Sequence, residues 1–354
     1  MTELLYGRPI DEAMARMGAP AQAVAIESSV RTDGPDAGAR RLRIVNGELE
    51  IDVLPDRGLD LGQVRIAGIP LAWISPVGFP RLHSGDVDGR GWLRAFGGGL
   101  LTTCGLLNVG PPAVDDGEQH PMHGRYSGIS AQVTRTEVTA GEIVVEGIVH
   151  EATVLGSHLE LRRRISTPLG ARRLRVADTI VNRGASPVEP MVLYHLNFGW
   201  PLVDAGTQLR SPAAAVRPRD ETAAGGLASW ETFSEAAIPY PEQVFAHDLP
   251  PAGLVEVAIE SPSGLRVRVG FDAAVLRGLF QWRVAEPGHY VLGVEPATVP
   301  TIHGRASARG AGLLRALAPG ARLETGVDLV IDLPAHDASP EAGSPEAGRS
   351  IAQA

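Results

Sequence analysis

From Ala21 onward the chain alternates apolar and polar residues with a period of two, in short runs broken by turn-forming pairs. AVAIESSVRT, RRLRIVNGELEIDVLP and GLDLGQVRIAGIPLAWI read as strands interrupted by Asn-Gly, Arg-Gly and Ala-Gly turns. The stretch SGISAQVTRTEVTAGEIVVEGIVHEATVLGSHLELRRRIST alternates cleanly, and ARRLRVADTIVNRG and MVLYHLNFGW continue it. LVEVAIESPSGLRVRVGFD predicts a hairpin, AVLRGLFQWRV and HYVLGVEP two more strands, and RLETGVDLVIDL the closing strand. Helical periodicity is confined to Ile10 to Met17, ending at Gly18 before Pro20. Many short strands with almost no helix predict an all-β sandwich or barrel rather than βαβ units.

Residues 1–20 form an N-terminal extension and 21–333 one domain, since no composition break divides them. The tail 334–354 is rich in Ala, Ser, Pro, Gly and Glu and is expected to be disordered. Two long stretches, 76–126 and 200–246, look irregular. They carry tryptophans, histidines, arginines and acids, which favours ordered loops that build a site.

Within YHLNFGWP, alternation puts Tyr194, Leu196 and Phe198 on one face and His195 and Asn197 on the other. The second face is either a buried polar network or the wall of a site. In HYVLGVEPATVPTIHGR, Val291, Gly293 and Glu295 share a face, with Gly293 leaving space beside the carboxylate. A carboxylate at the end of an apolar strand must be solvated, paired or functional, and Arg283 and Arg305 are the candidate partners. A third cluster, QHPMHGRY, presents His120, His123 and Arg125 among turn formers.

Composition narrows the chemistry. All 32 basic residues among the 354 are arginine, so a lysine Schiff base, a pyridoxal phosphate anchor and a phosphate-loop lysine are unavailable. The net charge of -9 argues against nucleic acid or an anionic membrane as partner, and the run Arg162-Arg163-Arg164 reads as solvated surface. The single cysteine, Cys104, excludes an internal disulfide and sits in LLTTCGLLN, an apolar setting of a structural thiol. GGGLLTTCG lacks the spacing of a phosphate loop. His120 and His123 are three apart without a nearby partner, so neither a metal nor another cofactor is expected. The N-terminus lacks the apolar core of a signal peptide and no run is long enough to span a membrane, which makes the cytoplasm the expected location.

A histidine and a glutamate facing each other across a cleft would suit general acid–base catalysis. At these residues the chain resembles the aldose 1-epimerase, or galactose mutarotase-like, superfamily, in a divergent branch like the uncharacterised domain DUF4432. The resemblance rests on GWLRAFGGGLLTTCGLLNVG, HPMHGR, DTIVNRG, YHLNFGWP, WETFSEAAIPYPEQVFAHD and VLGVEPATVPTIHGR, in that order, and covers most of 20–333. It implies a large twisted antiparallel β-sandwich with a sugar cleft on one face and, here, a short N-terminal helix. It implies that His195 protonates the ring oxygen and that Glu295 takes the anomeric hydroxyl proton, interconverting α and β anomers through the open-chain aldehyde. The two are expected a ring width apart.

The resemblance further implies that His123 binds and polarises the sugar and that Arg94 contacts its hydroxyls. The family's cleft aspartate has no clean counterpart, and Asp220, Glu242 and Gln243 are the candidates to replace it. Trp200 and Trp282 are candidates for stacking on a pyranose, His120 and Arg125 for contacts to an acidic group, and Asn197 for support. The expected partner is a small free sugar, bound by a monomer or homodimer. Two rivals stay open: a non-catalytic carbohydrate-binding or sensing protein, and another isomerase or lyase acting on an acidic or phosphorylated sugar.

Overall fold

The computed structural model describes residues 4–82, 86 and 88–334, so all of the expected disordered tail except Pro334 lies outside the described residues. Two large antiparallel sheets pack face to face. One has eight strands, running in the order Gln132–Val138, Glu142–Ala152, His158–Pro168, Arg173–Asn182, Arg322–Asp332, Arg266–Asp272, Leu254–Glu260 and Gln208–Arg210. The other has eleven. Five of its strands matter for the site: Leu101–Leu106 (β1), Met191–Gly199 (β2), Gln243–His247 (β3), Gly278–Glu286 (β4) and His289–Ala297 (β5). They lie side by side in the order β3, β4, β5, β2, β1.

Period-two alternation sorts each strand's side chains between two environments. Val192, Tyr194, Leu196 and Phe198 of β2 and Leu292 and Val294 of β5 face the other sheet, where they meet a core that includes Val145, Leu161, Ile165, Val176, Ile180 and Leu329. Each such side chain contributes roughly 1.5–3 kcal/mol through burial. The opposite face of β2 and β5 turns away from this core and carries His195, Asn197 and Glu295. The N-terminal helix is shorter than its periodicity predicts, spanning Ile10–Met14, and its buried Ala13 packs with Leu5 and Ala23.

Two expectations are corrected. Arg162-Arg163-Arg164 is not a solvated run: its central residue is one of the most buried side chains of the molecule. Strand alternation turns Arg163 inward while Arg162 and Arg164 face out to Glu160 and Glu142. Inside, Arg163 forms ion pairs of 2.8 Å to Asp60 and 2.7 Å to Asp178 and donates to the Thr103 hydroxyl at 2.8 Å. The stretch 76–126 is not all loop either. LTTCGL is β1, whose six residues are all buried at the centre of the sheet, so no alternation of apolar and polar positions marks it. Cys104 lies within it, and burial pushes its thiol well above the ordinary range.

Candidate functional site

The register of two antiparallel strands creates the site. Leu196 pairs with Val294 and Leu193 with Ala297, which sets His195 of β2 opposite Glu295 of β5. Thr102 of β1 flanks His195, and Phe280 of β4 flanks Glu295. One row along, Asn197 pairs with Gly293, Gly293 with Trp282, and Trp282 with Val244. His195 Nε2 lies 3.3 Å from Glu295 Oε1. The two groups are adjacent, not a ring width apart as expected.

Loops close this floor into a cavity of about 490 Å³ lined by Arg90, Trp92, Phe96, Met122, His123, His195, Arg219, Asp220, Glu242, Trp282, Glu295, Ile302 and His303, among others. Its aromatic wall is continuous: Trp92 stacks on Phe96 at 4.2 Å, Phe96 tilts against His195 at 5.1 Å, and the Trp282 ring meets His195 edge-on at 5.3 Å. His123 packs 4.5 Å from Trp92 and 6.0 Å from His195. Its backbone holds φ at +55, a left-handed conformation uncommon for a residue with a side chain and often found at functional sites. The Gly110 amide donates to His123 Nδ1 at 3.4 Å, which leaves the hydrogen of the neutral ring on Nε2. Gly110 itself must lack a side chain, because its φ is +93 and a Cβ there would strike the Ile302 carbonyl.

Burial sets the protonation states. The Glu295 carboxyl is pushed up to about 8, chiefly by desolvation and then by the nearby Glu242 charge, with Arg219 opposing. Desolvation lowers His195 to about 3, aided by His123, and lowers His123 to about 4. Neither of the two candidate arginine partners of Glu295 pairs with it. Arg305 is bound to Asp115 and Glu189, and Arg283 donates to the Tyr240 hydroxyl and to backbone carbonyls. Three of the buried polar atoms left without a hydrogen bond gather here: His195 Nδ1, Asn197 Oδ1 and Glu295 Oε1. Buried polar groups are normally hydrogen-bonded, so three unsatisfied atoms at one spot single out this part of the cavity floor.

The structure brings together His195, Glu295, His123, Asp220, Glu242 and Trp282 of the residues singled out from sequence. Asn197 lies beneath them, fully buried. Asp220 and Glu242 differ in kind. Asp220 caps the short helix Glu221–Ala224 by accepting from the Ala223 amide at 2.9 Å, and its other oxygen accepts from Arg219. Glu242 accepts from Trp282 Nε1 at 2.8 Å and from Arg219 at 3.0 Å, and so is a braced carboxylate on the cavity wall.

Five expected residues fall outside this cavity. Arg94 lies on the exposed side of the helix Trp92–Ala95, whereas Arg90, one turn earlier, reaches the lining. Trp200 is 66% exposed beyond the end of β2. Gln243 alternates away from Glu242 and approaches the Tyr240 hydroxyl. His120 and Arg125 line a separate cavity of about 270 Å³.

Sequence reasoning missed Arg90, Arg219 and His303. A signal for His303 existed, since Met122-His123-Gly124-Arg125 and Ile302-His303-Gly304-Arg305 repeat one pattern and the first two residues of each line the cavity. Among the described residues no group of three or more His, Cys, Asp or Glu is placed to hold a metal ion, and no helix is long and apolar enough to cross a membrane.

Comparison with known proteins places the chain in a family. The family model described as Domain of unknown function (DUF4432) matches residues 36–331. No curated protein matches the chain. Among solved structures, a protein of Klebsiella pneumoniae provisionally named aldose 1-epimerase is 24% identical, with 87% of this chain and 83% of that one covered at a TM-score of 0.80. A galactose mutarotase-like protein of Clostridium acetobutylicum is 14% identical, covering 88% and 99% at 0.63. Galactose 1-epimerase of Lactobacillus acidophilus is 13% identical, covering 88% and 100% at 0.61. The chain therefore belongs to the DUF4432 family, and its fold is the supersandwich of the aldose 1-epimerase and galactose mutarotase-like superfamily.

Proposed function

We propose that this protein interconverts the α and β anomers of a free sugar, with His195 and Glu295 as its acid–base pair. The observation that carries this reading is their 3.3 Å approach at the floor of an aromatic-walled cavity. Anomer exchange requires a proton to leave the anomeric oxygen O1 while another reaches the ring oxygen. Both oxygens are bonded to the same carbon, so two adjacent groups serve them better than two groups a ring width apart. Closure of the open-chain aldehyde on its other face reverses both transfers, and the pair returns to its starting state without a cofactor.

The remaining lining suits a sugar. Trp282, Trp92 and Phe96 offer apolar faces, Glu242 offers oriented acceptor oxygens, and His123 offers an N–H from a fixed ring nitrogen. A non-catalytic binding protein would have no use for a buried, unpaired carboxyl beside a buried histidine, because burying each without a partner costs stability.

The test is anomer exchange, followed by polarimetry or NMR over a panel of neutral, deoxy and acidic sugars. The wild type is expected to accelerate exchange of at least one sugar, and Glu295→Gln and His195→Ala to lose about 10²–10⁴-fold. No acceleration on any sugar overturns the reading. Unchanged rates in both variants overturn the assignment of the pair.

A further inference from the structure

We propose that a second cavity, where β4 begins and β5 ends, binds a small organic dianion: a phosphate monoester whose ester group is apolar. Arg277, Arg315 and Arg322 line this cavity, and no acidic residue does. Its volume is about 210 Å³, and it shares no lining residue with the cavity of His195 and Glu295.

Stretches distant in sequence build it. Arg277 immediately precedes β4, Thr298 and Val299 directly follow β5, and Pro190 precedes β2. Arg315 to Leu317 come from the segment between the helix Arg305–Gly310 and the closing strand Arg322–Asp332, whose first two residues complete the lining. That segment is anchored. Leu317 exchanges backbone hydrogen bonds with Val188 at 3.1 and 2.6 Å, and its carbonyl also accepts from the buried Asn182 side chain at 2.8 Å.

Arg277 is half-buried and pinned. Its Nε donates to the Thr298 carbonyl at 3.0 Å and its Nη2 to the Leu313 carbonyl at 2.8 Å, which fixes the plane of the guanidinium. Among the described residues its Nη1 has no partner. Arg315 makes one long contact, 3.5 Å to the Ala274 carbonyl, and Arg322 makes none among the described residues.

The charges in this cavity are uncompensated. Elsewhere in the eight-stranded sheet arginines sit against carboxylates: Arg266 against Glu260, Arg268 against Asp332, and Arg173 and Arg175 against Asp328. Among the described residues none of the three arginines here forms an ion pair. Burial lowers the proton affinity of Arg277, the Arg315 charge lowers it further, and no carboxylate opposes them. Like charges around a concave, low-dielectric wall reinforce one another's field, even in a chain of net charge -9. A bound anion turns that repulsion into attraction.

The ligand class follows from the lining. Guanidinium groups present donors in a fork that matches the oxygens of phosphate or carboxylate. Three cations complement a dianion better than a monoanion, which selects phosphate. Pro190, Val275, Val299, Leu317 and Leu323 form apolar walls that suit a hydrocarbon group on the ester oxygen. The Thr298 hydroxyl is already engaged with the Val192 backbone. A cavity of this volume admits a small molecule and not a nucleic acid or a membrane surface.

The test titrates phenyl phosphate into the full-length protein by calorimetry at low ionic strength, because exposed charges are screened by salt. At roughly pH 8 this probe carries about two negative charges. Inorganic phosphate lacks its apolar group, benzoate lacks its second charge and phenol lacks both charges. Phenyl phosphate is expected to bind saturably, inorganic phosphate and benzoate about 10-fold or more weaker, and phenol not measurably. Arg277→Gln and Arg315→Gln should each weaken phenyl phosphate at least about 10-fold, since each removes a hydrogen bond to a charged group.

No binding of phenyl phosphate, equal affinity for benzoate, or unchanged affinity in the double variant overturns the proposal. Affinity lost in Arg219→Ala but kept in the Arg277 and Arg315 variants would put the probe in the first cavity and also overturns it. Should Arg277→Gln fail to fold, Arg315→Gln and Arg322→Gln, both at exposed side chains, decide the matter. Binding needs no turnover and no residue of the acid–base pair, so it is decided whether or not the protein exchanges anomers.

Discussion

Tyr194 donates its hydroxyl to Asp178 Oδ2 at 2.8 Å inside the sandwich, while the next residue, His195, faces the cavity on the other side of the same strand. The strand that presents the catalytic candidate is therefore tied through Asp178 to the buried Arg163, which also grips Asp60 and Thr103. Arg163→Ala would leave Asp60 and Asp178 without their cation and is expected to cost about 3–5 kcal/mol in denaturant unfolding. Tyr194→Phe removes one hydrogen bond to a charged acceptor and is expected to cost about 1.5–3 kcal/mol. Losses well below these in both variants would show that the cluster does not hold β2.

The buried pair predicts a stability optimum on the acid side of neutrality. Glu295 has its folded value raised from 4.5 to about 8, so the folded state holds a proton the unfolded chain releases, and stability falls as pH rises between those values. His195 has its folded value lowered from 6.5 to about 3, so stability falls as pH drops below 6.5. Glu295→Gln abolishes the first dependence. Relative to wild type it should gain on the order of a few kcal/mol between about pH 5 and pH 8, with a slope of roughly 1.4 kcal/mol for each step of one in pH. A wild-type and variant difference that stays constant over that range contradicts the raised value.

Gly293 sits beside the carboxyl on the same strand. A Cβ at this position would approach Glu295 Oε1 to 2.8 Å and the Trp282 Cβ to 3.0 Å, so Gly293→Ala must push the carboxyl or the indole aside. Anomer exchange is expected to drop about 10-fold or more, since small displacements of a reacting group are costly, while thermal unfolding changes little. An active Gly293→Ala would mean that the Glu295 position is not critical.

Glu242 and Arg219 act on Glu295 with opposite signs, Glu242 raising its proton affinity and Arg219 lowering it. Glu242→Gln should move the Glu295 limb of the pH–rate profile toward acid, and Arg219→Ala should move it toward base. Both should also raise KM several-fold, because each braces the cavity wall. Changes in the same direction would contradict this electrostatic account.

Alternation alone determined much of this protein. Period two placed Tyr194, Leu196 and Phe198 on one face and His195 and Asn197 on the other, located the hairpin at Leu254–Glu260 and Arg266–Asp272, and put Gly293 and Glu295 together. It worked because a side chain's face depends only on its own strand. It hid β1, whose faces are both buried, so that LTTCGL alternates in nothing.

Tertiary structure decided the rest. Whether Arg163 met water or two aspartates depended on Asp60, more than a hundred residues away, and on Asp178, fifteen away on the neighbouring strand. Whether Arg90 or Arg94 reached the cavity depended on how the turn holding Arg90 and the helix Trp92–Ala95 that follows it are set against the cavity. The contact between His195 and Glu295 depended on a register between strands about a hundred residues apart, and the raised proton affinity of Glu295 depended on burial by loops from distant parts of the chain. Residue type and local period fix what a side chain can do and which way it points; proximity and desolvation arise only when distant segments pack, and they set the chemistry.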